Sequence, residues 1–86
     1  MYEIIFSKHV VKDLRRLPTF IVDQIFEQVE RLKENPKPTN SKKLKGYTNL
    51  YRIRQGDYRI VYTLEDKQLV IEVIKVAHRK DVYRDL

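Results

Sequence analysis

Apolar and basic residues alternate from Leu50 to Tyr62 on both sides of a Gly56-Asp57 pair, in the run Leu-Tyr-Arg-Ile-Arg-Gln-Gly-Asp-Tyr-Arg-Ile-Val-Tyr. Period-two alternation marks a strand that buries one face. Glycine takes φ > 0 at the first central position of a type II′ turn without steric cost, so Gly56-Asp57 predicts a two-residue β-hairpin. Gln55 then faces Tyr58, Arg54 faces Arg59, Ile53 faces Ile60, Arg52 faces Val61 and Tyr51 faces Tyr62. Because side chains alternate, Tyr51, Ile53, Ile60 and Tyr62 share one face while Arg52, Arg54 and Arg59 share the other.

The rest of the chain supplies a layer for the apolar face. Tyr2 to Phe6 is a short apolar run with β-branched residues, read as a first strand, and Ser7 follows as a helix N-cap. From Lys8 the apolar positions Val10, Val11, Leu14 and Leu17 recur at helical spacing, with Lys8, Lys12, Arg15 and Arg16 on the polar side. Pro18 cannot continue that helix and suits the first turn of the next. The second helix has the stripe Ile21, Val22, Ile25, Val29 and Leu32 with Phe26 beside it, and Asn35-Pro36 stops it. Two helices this close in sequence pack as a hairpin, apolar stripes toward a sheet. Pro36 to Gly46 reads as a loop, Glu65 to Gln68 as a polar turn, Leu69 to Ala77 as a nearly continuous apolar central strand, and His78 to Arg84 as a short polar segment. The predicted order is β-α-α-β-β-β. It is an α+β fold with the helical hairpin packed on a mostly antiparallel four-stranded sheet, in a single domain spanning 1–86.

Composition narrows the setting. The 86 residues allow one small domain that buries roughly 60 to 65% of its unfolded surface. With no cysteine there is no disulfide framework or thiolate zinc site, and the reducing cytoplasm is the natural compartment. Two isolated histidines argue against a dedicated metal site, and no segment approaches the roughly 20 apolar residues that span a bilayer. The expectation is a soluble cytoplasmic protein with no membrane partner and no metal.

Charge adds a location. The 18 Lys and Arg against 12 Asp and Glu give a net charge of +6. Between Lys37 and Arg59 stand Lys37, Lys42, Lys43, Lys45, Arg52, Arg54 and Arg59 against Asp57 alone, so this one window holds the whole excess. A basic patch beside an ordered β-face is the footprint of a polyanion site, most often nucleic acid, and acidic protein partners can use the same patch. Like charges opposite one another destabilise a sheet by up to roughly 1 kcal/mol. Three arginines on one face are therefore either an ordinary solvated face or a site for an anion.

No glycine-rich phosphate loop, zinc spacing or nucleophile elbow is present. The candidate chemistry is basic or phenolic. Arg79 follows a strand end and Tyr83 lies four residues later, so a turn of helix would bring both to one side and add them to Arg52, Arg54 and Arg59 as a clamp for a phosphodiester. Tyr83 reads equally as an aromatic cap on a small core. His78, at the end of an apolar strand, reads as a structural histidine first and a base second. Lys42, Lys43 and Lys45 read first as solvated loop, and second as a source of diffuse attraction for nucleic acid. Tyr51, Tyr58 and Tyr62 can stack bases but fall on the hairpin face that the pattern gives to the core.

Leu44-Lys45-Gly46, the run from Tyr51 to Tyr62, and Val-Ala-His-Arg-Lys-Asp-Val-Tyr at 76 to 83 resemble the RelE side of the RelE/ParE superfamily of type II toxin–antitoxin toxins. The likeness extends over essentially the whole chain. It implies a compact fold similar to microbial ribonucleases and an mRNA interferase. Such an enzyme is a cofactor-free, metal-independent endoribonuclease that cuts messages in the ribosomal 30S A site by attack of a 2′-hydroxyl on the adjacent phosphate. The implied partners are the ribosome, mRNA and a cognate antitoxin that wraps round the toxin, with operator DNA bound through the antitoxin. By the same resemblance Arg59 and Arg79 stabilise the phosphoryl oxygens, Arg52 and Arg54 position the backbone and assist proton movement, and Tyr83 orients substrate or acts as acid/base. Arg52 and Arg54 stand where RelE itself has lysines. A guanidinium barely deprotonates, so Arg54 is a poor general base and His78 is the substitute to test. The alternative reading is a ParE-like inhibitor of DNA gyrase, which binds protein and cuts nothing, and the third is an inactive or purely regulatory homologue acting with its antitoxin on DNA.

Overall fold

The alternation around Gly56 folds as the hairpin it predicts. The computed structural model describes residues 1–84, so Asp85 and Leu86 lie outside the described residues. In it β3 (Leu50–Gln55) and β4 (Tyr58–Glu65) pair antiparallel in the expected register, from Gln55 against Tyr58 through Arg54 against Arg59 to Tyr51 against Tyr62. Gly56 has φ +57°, a left-handed backbone that glycine adopts without Cβ strain. Only the first of the two turn residues lies at positive φ, as a type II′ turn requires.

Three further strands complete the sheet: β1 (Glu3–Phe6), β2 (Ser41–Lys43) and β5 (Val70–His78). The order is β1-β5-β4-β3-β2, with β1 parallel to β5 and every other pair antiparallel. The α+β class and the mostly antiparallel sheet agree with the sequence pattern, but there are five strands rather than four. The extra one, β2, lies inside the segment read as a loop and sets Lys42 opposite Arg52 and Lys43 opposite Tyr51. Ser-Lys-Lys has no apolar alternation to announce a strand. It forms because β3 offers a free row of backbone donors and acceptors, and its lysines then discourage further pairing at the edge.

The helices α1 (Lys8–Leu14) and α2 (Thr19–Arg31) cover one face of the sheet. Val10, Leu14, Ile25, Val29 and Leu32 from the helical hairpin meet Ile53, Ile60, Tyr62, Leu64, Ile71, Val73 and Val76 in one buried cluster. Ser7 holds the N-cap position of α1, but its hydroxyl caps nothing and lies 3.3 Å from His9 Nδ1. Pro18 sits one position earlier than expected, at the N-cap of α2, where its carbonyl accepts from the N–H of Ile21 and Val22 at 3.0 and 3.1 Å. Tyr62 is fully buried and donates its hydroxyl to the Pro36 carbonyl at 2.6 Å, tying the segment after α2 to the core. Among the described residues no helix is long and apolar enough to cross a membrane.

Two departures shape the opposite face. First, β5 bulges: Val61 pairs with Lys75 but Tyr62 pairs with Val73, leaving Ile74 without a partner of its own. An extra residue inverts the facing of everything beyond it. Ile71 and Val73 face the helices, and so does Val76, whereas Ala77 joins the other side. Second, that other side is not bare. Leu50, Val61 and Val82 form a second buried cluster with Leu44, Ile74 and Ala77 against it. Val82, a single apolar residue in a polar tail, is fully buried and contributes on the order of 1.5–3 kcal/mol by leaving water. It pins the chain after β5 across the face on which the arginines stand.

Candidate active site

The hairpin and the pinned C-terminal segment together assemble the basic cluster. Arg54 and Arg59 are directly opposite on β3 and β4, and Arg52 lies one step further along β3 on the same face. Arg59 is folded back on the turn, with Nη1 donating to the carbonyls of Gly56 and Tyr58 at 2.9 and 3.0 Å. The segment from Arg79 onward turns in two short steps, Asp81 N–H to His78 carbonyl at 2.8 Å and Arg84 N–H to Asp81 carbonyl at 3.1 Å. Its start is fixed to the hairpin tip by a bond from Arg79 N–H to the Asp57 carbonyl at 2.8 Å. The Arg79 side chain leans the same way, Nε lying 3.9 Å from Asp57 Oδ1. Both groups are exposed, so this ion pair contributes little to stability; its effect is to keep the guanidinium near the turn.

The charges of these groups act on one another. The Arg59 guanidinium is held below its ordinary value, first by desolvation and then by the positive charges of Arg54, Arg52 and Arg79, while Tyr83 acts in the opposite sense. Every predicted member of the cluster thus bears on Arg59. The group stays cationic, since arginine starts far above neutrality, and its neighbours make a site that an anion relieves.

Arg52 differs from the others. It is 7% exposed, and among the described residues it is the one buried charged side chain and its Nε–H has no hydrogen-bond partner. A buried donor left unpaired costs on the order of 1–3 kcal/mol, more when charged. Beside it Thr39, Asn40, Ser41, Lys42, Arg52 and Arg54 line a depression of about 330 Å³ between β2 and β3.

Two comparisons decide the family. The model of the ParE toxin of type II toxin–antitoxin systems matches residues 4–83. Among curated proteins, Toxin RelE3 of Methanocaldococcus jannaschii is 35% identical over 85 residues, covering 94% of each chain. The chain is a RelE-like toxin of the RelE/ParE family. The mRNA interferase toxin RelE of Escherichia coli is 30% identical over 88 residues, covering 98% of this chain and 92% of that protein. The archaeal RelE–RelB complex of Pyrococcus horikoshii superposes with a TM-score of 0.82 at 35% identity, over 91% of this chain and 94% of that one. The five-stranded α+β architecture is therefore the RelE fold.

Within this RelE-like toxin the remaining predicted residues divide. Tyr83 is 53% exposed, beside the buried Val82 that anchors it. His78 is not with the arginines: it pairs with Tyr58, whose ring it meets edge-on at 5.9 Å between centroids. Both lie on the side of Gln55, whose amide reaches Gln24 of α2 at 3.3 Å. The bulge at Ile74 is the reason, because uninterrupted alternation from Ile71 would have turned His78 toward Arg59. Lys42 stands on the arginine face opposite Arg52, Lys43 on the other face opposite Tyr51, and Lys45 in the loop beyond β2. Tyr51 and Tyr62 stack on each other at 5.9 Å in the core, which removes them as base platforms. Sequence reasoning read Asp57 as a turn residue and the one acid of the basic window but not as the tether of Arg79, and it missed Val82, which nothing but its isolation among polar residues marks out.

Proposed function

We propose that this RelE-like toxin is an mRNA interferase, an endoribonuclease that cuts messages in the ribosomal A site and stops translation. The observation that carries the reading is the basic face itself, with Arg54 opposite Arg59, Arg52 on the same side of β3, and the segment that bears Arg79 and Tyr83 tied to the hairpin tip at Asp57. The E. coli relative bears the name mRNA interferase. The reaction is attack of a 2′-hydroxyl on the adjacent phosphorus, which releases the 5′-oxygen of the next nucleotide and leaves a cyclic phosphate. Arg59 and Arg79 bind the phosphoryl oxygens as negative charge develops, a role that needs fixed cations and no proton bookkeeping. Arg54, opposite Arg59, holds the backbone in line. Tyr83, an exposed phenol, gives its proton to the departing 5′-oxygen and regains one from solvent, while the 2′-hydroxyl proton passes to a base on the ribosome, since the arginines do not deprotonate and His78 lies on the other face. No step calls for a metal ion. The relative from P. horikoshii was solved with RelB, and we take a cognate antitoxin as the partner that silences this toxin in the cytoplasm.

The family model is that of ParE, which makes inhibition of DNA gyrase by protein binding the second reading. Inducing the chain in growing bacteria and mapping messenger 5′ ends separates the two. New ends inside translated regions, formed equally in extracts with chelator, are expected. Growth arrest with intact messages and a DNA-damage response would overturn the interferase reading in favour of the second.

A further inference from the structure

We infer that the depression between β2 and β3 is a second phosphate subsite, which takes the backbone phosphate next to the one that is cut; the inference rests on the interferase reading. Among the described residues its lining is Thr39, Asn40, Ser41, Lys42, Arg52 and Arg54, with no carboxylate. Lys42 stands directly opposite Arg52 across the β2–β3 ladder, and Arg54 stands opposite Arg59 across the β3–β4 ladder. Arg54 therefore belongs to both places, with Arg59 and Arg79 on one side and Arg52 and Lys42 on the other. Arg52 and Arg54 are two residues apart on one strand, roughly 6.6–6.8 Å, a spacing like that of consecutive phosphates along an RNA strand.

The buried guanidinium is the second observation. Arg52 is more than nine-tenths buried, and its Nε–H lacks a partner among the described residues. The steps assigned above to Arg54, Arg59, Arg79 and Tyr83 leave that donor of Arg52 unused. An anion in the depression supplies acceptors beside the charge, and a charge-assisted bond to Arg52 is of the strong kind. Ser41 already donates its hydroxyl to the Pro38 carbonyl at 2.7 Å, which leaves Thr39, Asn40 and Lys42 as the rim. A tetrahedral phosphate, with several acceptor oxygens, suits donors from floor and rim together. Continuity with Arg54 favours a phosphate of the same RNA over a carboxylate of a protein.

The test uses the full chain and a three-nucleotide RNA with two phosphates, 2′-methoxylated so that it cannot be cut. Affinity is compared with that for the same RNA carrying an uncharged methylphosphonate at one linkage or the other. In the wild type, neutralising either linkage is expected to weaken binding at least about tenfold, the scale of one hydrogen bond to a charged group. In Lys42→Gln one linkage loses its effect and the other keeps it. Lys67→Gln, an exposed lysine in the turn after β4, behaves as the wild type. The inference is overturned if only one linkage matters in the wild type, if the wild type does not bind this RNA, or if Lys42→Gln still senses both. It is also overturned if Lys42→Gln weakens only the grip on an acidic antitoxin peptide, which makes the anion a protein carboxylate. Messages cut in cells together with any of these results remove the subsite and leave the interferase reading standing. Intact messages remove both.

Discussion

Arg79 meets the hairpin tip twice, through a backbone bond to the Asp57 carbonyl and through a long, exposed ion pair with the Asp57 carboxylate. The backbone bond survives any side-chain change, so Arg79→Ala leaves the segment in place and removes only the charge. Loss of one donor to a transition-state oxyanion costs roughly 10²–10³ in kcat, and Arg79→Ala is expected to abolish toxicity on induction with an unchanged unfolding midpoint. A variant that still arrests growth removes Arg79 from the site. Tyr62 is the opposite kind of residue, all structure. Burial pushes its phenol up to about 12, while in the unfolded chain it ionises near 10. The stability it contributes is therefore complete below about pH 10 and is lost as the pH rises toward 12. Tyr62→Phe leaves the Pro36 carbonyl without its donor and is expected to cost on the order of 1–3 kcal/mol near neutral pH. Denaturant titrations of both proteins across this range check it: the gap must narrow above pH 10.

At the scale of elements, the hairpin was open to counting and its neighbours were not. A Gly-Asp turn fixes the register, and alternation fixes the faces, so every pair from Tyr51–Tyr62 to Gln55–Tyr58 follows from the sequence. Residues Ser41–Lys43 hold no such pattern, because an edge strand recruited by a free neighbour need not carry one of its own. The facing of His78 was hidden for a different reason: one unpaired residue at Ile74 inverts the parity, and the only mark of it in the run Val70 to Ala77 is the odd spacing of Glu72 and Lys75, which pair with Thr63 and Val61 on the arginine face. The C-terminal segment was legible as a carrier of Arg79 and Tyr83 but not as an anchored one. Its anchor makes a prediction. Val82→Ala removes two buried methyls and is expected to destabilise the fold by about 1–2 kcal/mol. Its larger effect is on the cluster, since the turns from His78 to Arg84 lose their hold on the sheet. Amide exchange should rise first at residues 79–84 while β3 and β4 stay protected, and toxicity should fall further than the global stability alone accounts for. Uniform loss of protection across the sheet would show that Val82 is an ordinary core residue.

For the molecule as a whole, the concentration of charge decides how it meets RNA. The net +6 resides between Lys37 and Arg59, the stretch that folds into β2, β3 and the start of β4. The helices carry Asp23, Glu27 and Glu30 over the other face, where Glu27 and Glu30 pair with Arg31 and Lys33. An approaching polyanion is therefore attracted to one side and oriented before it touches the site. Single-stranded nucleic acid releases counterions with a slope of about −0.7 in log K against log salt for each phosphate neutralised. If the scissile phosphate and its neighbour are both held, the uncleavable three-nucleotide RNA should show a slope near −1.4, because each site takes up one phosphate. Removing Lys42 should bring it to about −0.7, while Lys67→Gln should leave it unchanged, because a lysine outside the window adds charge but no contact. Binding isotherms between 50 and 300 mM salt, on the order of the range over which screening changes most, measure this directly. A slope that is the same in Lys42→Gln as in the wild type would mean that the basic window acts through its summed field alone, and the two-phosphate geometry would have to be abandoned.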